Sequence, residues 1–292
     1  MKTSKNDRIF YAICYAVILL LTLSVLYPIL YIISSSFSSP DAVVAGKVKL
    51  LPVELSLEGY QAVFRYKEVW MGYGNTIFYT VVGTFVNVAM TMICAYPLAR
   101  TNLRGRGVIT FLFTFTMIFS GGMIPNYLLM RGLGLLNTRW AMILPGAMSV
   151  YNMIVARTFI QSNISGDILE AAKLDGCSDC VFFFRIILPL SKSIIAVLSL
   201  WYAVGHWNAY FNAFLYLSDR NLYPLQIFLK NILVQSQMSA AMVESGDAVQ
   251  VRNTYVVLKY ALIVVATLPL FFFYPFVQKH FVKGVMVGSV KG

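Results

Sequence analysis

Apolar positions along this chain come in long unbroken runs. No Asp, Glu, Lys or Arg occurs from Ile9 to Pro40, Val69 to Ala99, Val108 to Met130, Trp140 to Ala156, Ser193 to Ser218 or Tyr260 to Gln278. A helix needs about 20 apolar residues to cross the hydrocarbon core, and none of the runs alternates in the manner of a strand. The pattern predicts an all-α polytopic membrane protein with six transmembrane helices. The second is expected over 74–98, the third over 108–130, the fourth over 140–160, and the fifth from near Leu188 past Trp207. Two longer polar stretches interrupt the runs, at 41–71 and about 217–256. Within the first, "LSLEGYQAVFRY" has the spacing of a short amphipathic helix at the membrane surface. Prolines at 28, 97, 125, 145, 269 and 275 fall inside or at the edges of spans, where neighbouring helices satisfy the freed carbonyls.

Composition strengthens that picture. The 292 residues are 59% hydrophobic and 12% charged, about half the charge of a soluble domain. The net charge of +11 does not point to nucleic acid, because the basic residues flank spans. Lys2, Lys5 and Arg8 precede the first, Arg100, Arg104 and Arg106 follow the second, and Lys279, Lys283 and Lys291 follow the sixth. All three groups fall on one side of a six-span arrangement, which places both termini in the cytoplasm. Arg131 and Arg139, in the short connection between the third and fourth spans, run against that rule. The organisation expected is a cytoplasmic start and first helix over 1–40, an extracytoplasmic segment over 41–71, a core membrane domain over 72–280, and a cytoplasmic tail over 281–292. The first span is too long for the apolar region of a signal peptide and reads as a retained anchor.

The chemistry the spans lack is equally informative. Ion-driven transporters keep acids or bases within the membrane. Here His206 is the one such group inside an apolar run, and Arg157 is placed to snorkel to the inner interface. There is no G-x-x-x-x-G-K-[ST] phosphate cradle, no H-E-x-x-H and no paired-acid constellation, so an enzyme reading finds no catalytic set. Cys177 and Cys180 form a single C-x-x-C without a second pair or a nearby His, too little for a zinc site. No cofactor or metal site is expected in this chain. If it moves a solute, the energy comes from a partner, and the partner needs a handle.

The handle is "DILEAAKLDGCSDCVFFFRIILPL", residues 167–190, a polar segment set between two apolar runs. Asp167 and Glu170 have capping-box spacing and predict a short helix starting at Asp167. Ala171 and Ala172 keep one face small, and Gly176 permits a tight turn. Pro189 is expected in the first turn of the fifth span.

Glu170-Ala171-Ala172, three residues, Gly176, nine residues, then Ile186-x-Leu188-Pro189 resembles the EAA loop of ABC importer permeases. That resemblance implies a coupling helix within 165–189 that docks on a cytoplasmic ATPase through Glu170, Ala171, Ala172, Asp175, Gly176, Ile186, Leu188 and Pro189. "NTIFYTVVGTFVNVAMTMICAYPLAR" is similar to the family's second and third core helices. "FSGGMIPNYLLMRGLGLLNT", "YAVGHWNAYFNAFLYLSDRNLYPLQ" and the tail "FVKGVMVGSVKG" resemble its carbohydrate-uptake branch, in the subgroup importing oligosaccharides and polysaccharide fragments. Cys177 departs from the pattern, standing where Ala is usual. The resemblance implies a bacterial plasma-membrane subunit paired with a second permease. It implies two ATPase subunits carrying ATP and Mg, an extracytoplasmic binding protein, and carbohydrate as cargo. A permease for a peptide, an amino acid or phosphate is the alternative within the family, and a membrane-embedded enzyme the alternative outside it.

Residues suited to a sugar path lie in the fifth run. On a continuous helix Trp201, Gly205, Asn208 and Asn212 share one face. Trp offers a flat plate for the C–H faces of sugar rings, and Asn offers donors and acceptors without a net charge. Trp207, Tyr210, Tyr151 and Asn152 are further candidates, although aromatic residues also gather at membrane interfaces and Asn bonds between helices.

Overall fold

The computed structural model describes residues 5–241 and 255–272, and among these there is no β-strand. In chain order the helices are α1 (Lys5–Ser36), α2 (Pro40–Val44), α3 (Glu58–Arg65), α4 (Lys67–Ala99), α5 (Arg106–Ile118) and α6 (Met123–Gly132). Then follow α7 (Val150–Asn163), α8 (Gly166–Leu174), α9 (Asp179–Phe182), α10 (Leu188–Leu190), α11 (Lys192–Trp207), α12 (Phe211–Tyr216) and α13 (Leu225–Ala241). The last is α14 (Tyr255–Phe272). The expected tail over 281–292 lies outside the described residues.

Three helices are long and apolar enough to cross a membrane unbroken: Asn6–Ser36, Lys67–Ala99 and Tyr255–Phe272. The other three expected spans are bent. Arg106–Ile118 turns by 113° into Met123–Gly132, Arg139–Gly146 by 53° into Val150–Asn163, and Asp179–Leu190 by 79° into Lys192–Trp207. The third apolar run is therefore not a straight crossing. α5 stops at Phe119, and Gly122, with φ of 87°, redirects the chain. The stretch that resembles two core helices, 75–100, is one continuous helix up to Ala99.

The chain divides into two units. In the first, Met1–Trp70 with Phe228–Leu268, α1 is exposed along its whole apolar window, as a helix facing lipid must be. Its last turn is a serine knot. Ser34 donates to the Leu50 carbonyl at 2.6 Å, Ser38 accepts from the Val53 N–H at 3.0 Å, and the Ser36 and Tyr60 hydroxyls lie 2.9 Å apart. These bonds hold 37–57 in a compact arrangement without regular ladders. The amphipathic helix expected from sequence is α3. Its Gly59 has no room for a side chain against Val257 and Ala261 of α14.

The second unit, Met71–Ile227 with 269–272, is organised by one stripe of α4. Asn75, Tyr79, Gly83, Asn87, Thr91 and Ala95 recur every four residues and are all buried, as one face of a helix predicts. The stripe meets α7, α11 and the chain at 216–225. Its lower half packs with Ala156, Ile160, Phe182, Ile187 and Leu198. Its upper end packs with Met142, Ile143, Ala213, Tyr216 and Leu217.

Candidate functional site: coupling loop and transport path

The coupling segment is a closed helical unit. Ser165, in extended backbone, precedes α8, and Gly176 ends it in the left-handed region with φ of 73°. The Cys177 N–H donates to the Ala172 carbonyl at 2.9 Å and the Gly176 N–H to Lys173 at 3.0 Å. That pair of bonds is the Schellman closure, which favours glycine at this position. The capping-box reading is corrected. The helix starts one residue earlier than expected, so Asp167 sits in the first turn and the cap carries no side-chain bond to the backbone. The Ser165 hydroxyl donates to Asp167 Oδ2 instead, at 3.3 Å. Asp167 still favours the helix N-terminus through its charge.

One face of α8 is seated and the other is bare. Ala172 is buried and Leu169 half-buried, both against the core. Glu170, Ala171 and Asp175 are exposed, and Leu174 is 90% exposed. A Leu at that exposure leaves apolar surface uncovered on α8. Its signal in the sequence was weak, because it sits between charged residues at one of the unspecified positions of the E-A-A-x3-G pattern.

After Gly176 the chain forms α9 and then a π-helical turn, Phe183–Ile187. The Leu188 N–H reaches back five residues to Phe183. Pro189 accounts for the widening, since its ring conflicts with the carbonyl four residues earlier and it donates no bond. Ile186 and Leu188 pack at the core edge, while Pro189 is exposed. Pro189 lies in α10, before the 79° bend at Ser191, and not in the first turn of α11 as expected.

Arg100, at the end of A-Y-P-L-A-R, ties this segment to α4. Its Nη1 donates to Asp179 Oδ1 at 2.6 Å and to the Tyr96 hydroxyl at 3.2 Å. The guanidinium lies 5.6 Å from the Tyr96 ring centre, and that ring packs on Phe183 at 5.4 Å. Gln161 Nε2 donates to the Ala99 carbonyl at 3.2 Å. Between α8 and the end of α4 remains a cavity of about 350 Å³, bordered by Arg100, Gln161, Glu170 and Lys173. With the Asp179 side chain 64% exposed, the ion pair itself contributes about 1 kcal/mol or less. Its value is geometric: it fixes where the loop leaves the membrane core.

The path candidates are placed differently from expectation. α11 ends at Trp207, and Asn208 closes it, donating through its backbone and its side-chain amide to the Val204 carbonyl at 3.1 and 2.9 Å. Asn212 belongs to α12. The single face shared by Trp201, Gly205, Asn208 and Asn212 does not form, because the helix breaks after Trp207 and a separate helix starts at Phe211. Trp201 and Tyr151 come together, with ring centres 6.0 Å apart, and Tyr151 is 56% exposed. Asn208 and Tyr210 are exposed and Asn212 half-buried. Trp207 and Asn152 are buried within the chain, with Trp207 6.2 Å from the Tyr73 ring.

Beside these residues runs a buried polar network that the sequence reading missed. Asn87 donates to the Gly146 carbonyl and accepts from His206 Nε2 at 2.5 Å. The Tyr202 hydroxyl accepts from the Ser149 N–H at 3.0 Å and meets Thr91 Oγ1 at 2.7 Å. Backbone groups freed at the 147–149 break are thus satisfied by side chains, as a break at membrane depth requires. His206 is a hydrogen-bonded member of this network. The available signal was the four-residue recurrence of Gly83, Asn87 and Thr91 inside an apolar helix.

A second set of bonds closes the far end. Asn75 Nδ2 donates to the carbonyls of Asn221 and Tyr223 at 2.7 and 3.1 Å, and the Tyr79 hydroxyl to Leu222 at 2.8 Å. Thr76 Oγ1 accepts from the Leu225 N–H at 2.9 Å. Asn137 Oδ1 accepts from the N–H groups of Ser218 and Asp219 at 3.0 and 2.8 Å.

Apolar helices packed around a buried polar spine, with the short exposed helix α8 at one end, are the arrangement of a membrane permease. The chain belongs to the family described as the binding-protein-dependent transport system inner membrane component, which matches residues 69–287. It is an ABC transporter permease, a transport subunit rather than an enzyme. It is 42% identical over 288 residues to the polygalacturonan/rhamnogalacturonan transport system permease protein YtcP of Bacillus subtilis (strain 168), covering 98% of this chain and 100% of that one. It is 44% identical over 266 residues to Protein LplC of the same organism, covering 91% of this chain and 89% of the other. Among solved structures it is similar to a chain of a bacterial ABC transporter involved in the import of the acidic polysaccharide alginate. The TM-score is 0.87 and the identity 37%, with 96% and 99% of the two chains covered.

Proposed function

We propose that this chain forms half of the path by which an ATP-driven importer admits an oligosaccharide or polysaccharide fragment. A second, related permease supplies the other half. A cytoplasmic ATPase pair holds ATP and Mg, and an extracytoplasmic binding protein delivers cargo. The termini and α8 lie on the cytoplasmic side, and the 216–225 region faces out. When ATP closes the ATPase pair, α8 moves with it. The force passes through Ala172 and the Arg100–Asp179 contact into α4, α7 and α11, which rock between inward-open and outward-open forms. Glu170, Ala171, Asp175 and Gly176 shape the docking surface, with Ile186, Leu188 and Pro189 anchoring its return to the core. Tyr151 and Trp201 offer sugar-stacking surface, with Asn208, Asn212 and Tyr210 nearby. Trp207 and Asn152 back them from inside.

The observation that carries this reading is the two-faced coupling helix, seated by Ala172 and presenting an uncovered Leu174. The cargo assignment draws support from relatives that transport polygalacturonan or alginate. The test is uptake of labelled oligosaccharides by the intact assembly in proteoliposomes. ATP-dependent accumulation that requires the binding protein is expected. ATP-dependent accumulation of peptides or phosphate, with no carbohydrate taken up, overturns the assignment.

A further inference from the structure

The end of the core opposite the coupling loop is unusually basic. Arg131 lies in the last turn of α6, Arg139 opens the 3₁₀ turn Arg139–Met142, and Arg220 opens the 3₁₀ turn Arg220–Leu222. All three are exposed. They belong to one surface. Asn137 accepts from Ser218 and Asp219, which draws the 131–139 connection alongside 216–221. The Asn75 amide accepts from Arg139 Nη2 at 3.4 Å while donating to the carbonyl beside Arg220. One acid, Asp219, shares this surface and points one oxygen at its own turn. Its Oδ1 accepts from the backbone and side-chain N–H groups of Asn221 at 2.9 and 3.0 Å. No ion pair involves these arginines among the described residues.

Short outer connections of membrane proteins are depleted in arginine, and Arg131 and Arg139 lie in one. With Arg220, three arginines against the one acid Asp219 leave this surface positive. A surface of one sign concentrates ions of the other sign. A guanidinium fork matches a carboxylate with two parallel bonds. Arg139 is preorganised for that role, since it lies 4.6 Å from the Phe78 ring centre and keeps donors free beyond its bond to Asn75. The next residue, Trp140, is 50% exposed, a flat apolar plate beside a cation. Carboxylate plus apolar C–H face is the chemistry of a uronic acid ring.

We propose that Arg131, Arg139 and Arg220 form a cationic rim that receives the carboxylates of a uronic-acid oligosaccharide as it leaves the binding protein. This rests on the carbohydrate-importer reading and on this end facing outwards. The test uses the complete importer in proteoliposomes, with trigalacturonate and its uncharged methyl ester as probes. Arg131→Gln with Arg220→Gln leaves packing untouched, because neither side chain has a bonding partner among the described residues. Arg139→Gln is the third change. Uptake of subsaturating trigalacturonate falls about ten-fold or more through KM, while uptake of the ester and docking of the loaded binding protein are unchanged. Equal losses for both probes, no loss, or a loss that follows weakened docking overturns the rim, the last by assigning the arginines to the binding protein. A wild-type importer that moves neutral oligosaccharides but not trigalacturonate also overturns the rim and leaves the carbohydrate function standing. Failure with every carbohydrate overturns both.

Discussion

Gly83 and Gly176 are both needed as glycines, for opposite reasons. Gly176 stands in open space but holds a backbone angle that other residues adopt at a cost. Gly176→Ala is expected to weaken the closure of α8 by about 1 kcal/mol. Gly176→Trp adds bulk at the docking surface and is expected to abolish cargo-stimulated ATPase while the permease still folds. ATPase assays on the reconstituted complex check this, and normal stimulation contradicts it. Gly83 has ordinary backbone but no room, since an added Cβ meets the His206 ring. Gly83→Ala is expected to destabilise the purified permease by about 1–3 kcal/mol through overpacking. In a His206→Ala background most of that loss disappears. A double-mutant cycle on thermal or denaturant unfolding reads the difference, and equal losses in both backgrounds count against the contact.

At the level of helices, the Arg100–Asp179 tie makes a sharper demand than its small energy suggests. Arg100→Glu is expected to lower transport per ATP hydrolysed, and Asp179→Arg in the same chain to restore much of it. Failure of the reversed pair to recover coupling means that Arg100 serves packing alone. Asn208→Leu with Asn212→Leu is expected to reduce uptake while the ATPase remains attached, which pull-down and uptake measurements separate. Six apolar runs, the amphipathic α3 and the closed coupling helix were legible in the sequence, because each rests on local spacing or a short motif. The bends near 119–122, 147–149 and 191 were not, since apolar composition is the same in a crossing helix and in one turned across it. The far-end clamp was equally hidden. Asn75 and the Asn221 carbonyl lie 146 positions apart, and no local pattern announces such a pair. The shared face around Asn208 failed because the chain breaks between α11 and α12, which side-chain spacing alone does not reveal.

At the scale of the second unit, α8 and the Arg100–Asp179 pair stand at one end of the α4 stripe, uncharged side chains bond along its middle, and Arg139 and Arg220 lie by its other end. A buried neutral network suits a machine that is driven from outside, because it lets helices shift without stranding a charge in hydrocarbon. Everything then depends on α8 meeting an engine. The decisive measurement is crosslinking from Leu174→Cys in a chain whose Cys177 and Cys180 have been changed to Ser, within the assembled complex. The adduct is expected on the partner ATPase, with a yield that changes between nucleotide-free and ATP-bound states. Adducts confined to lipid or to extracytoplasmic proteins contradict the coupling role and the function built on it.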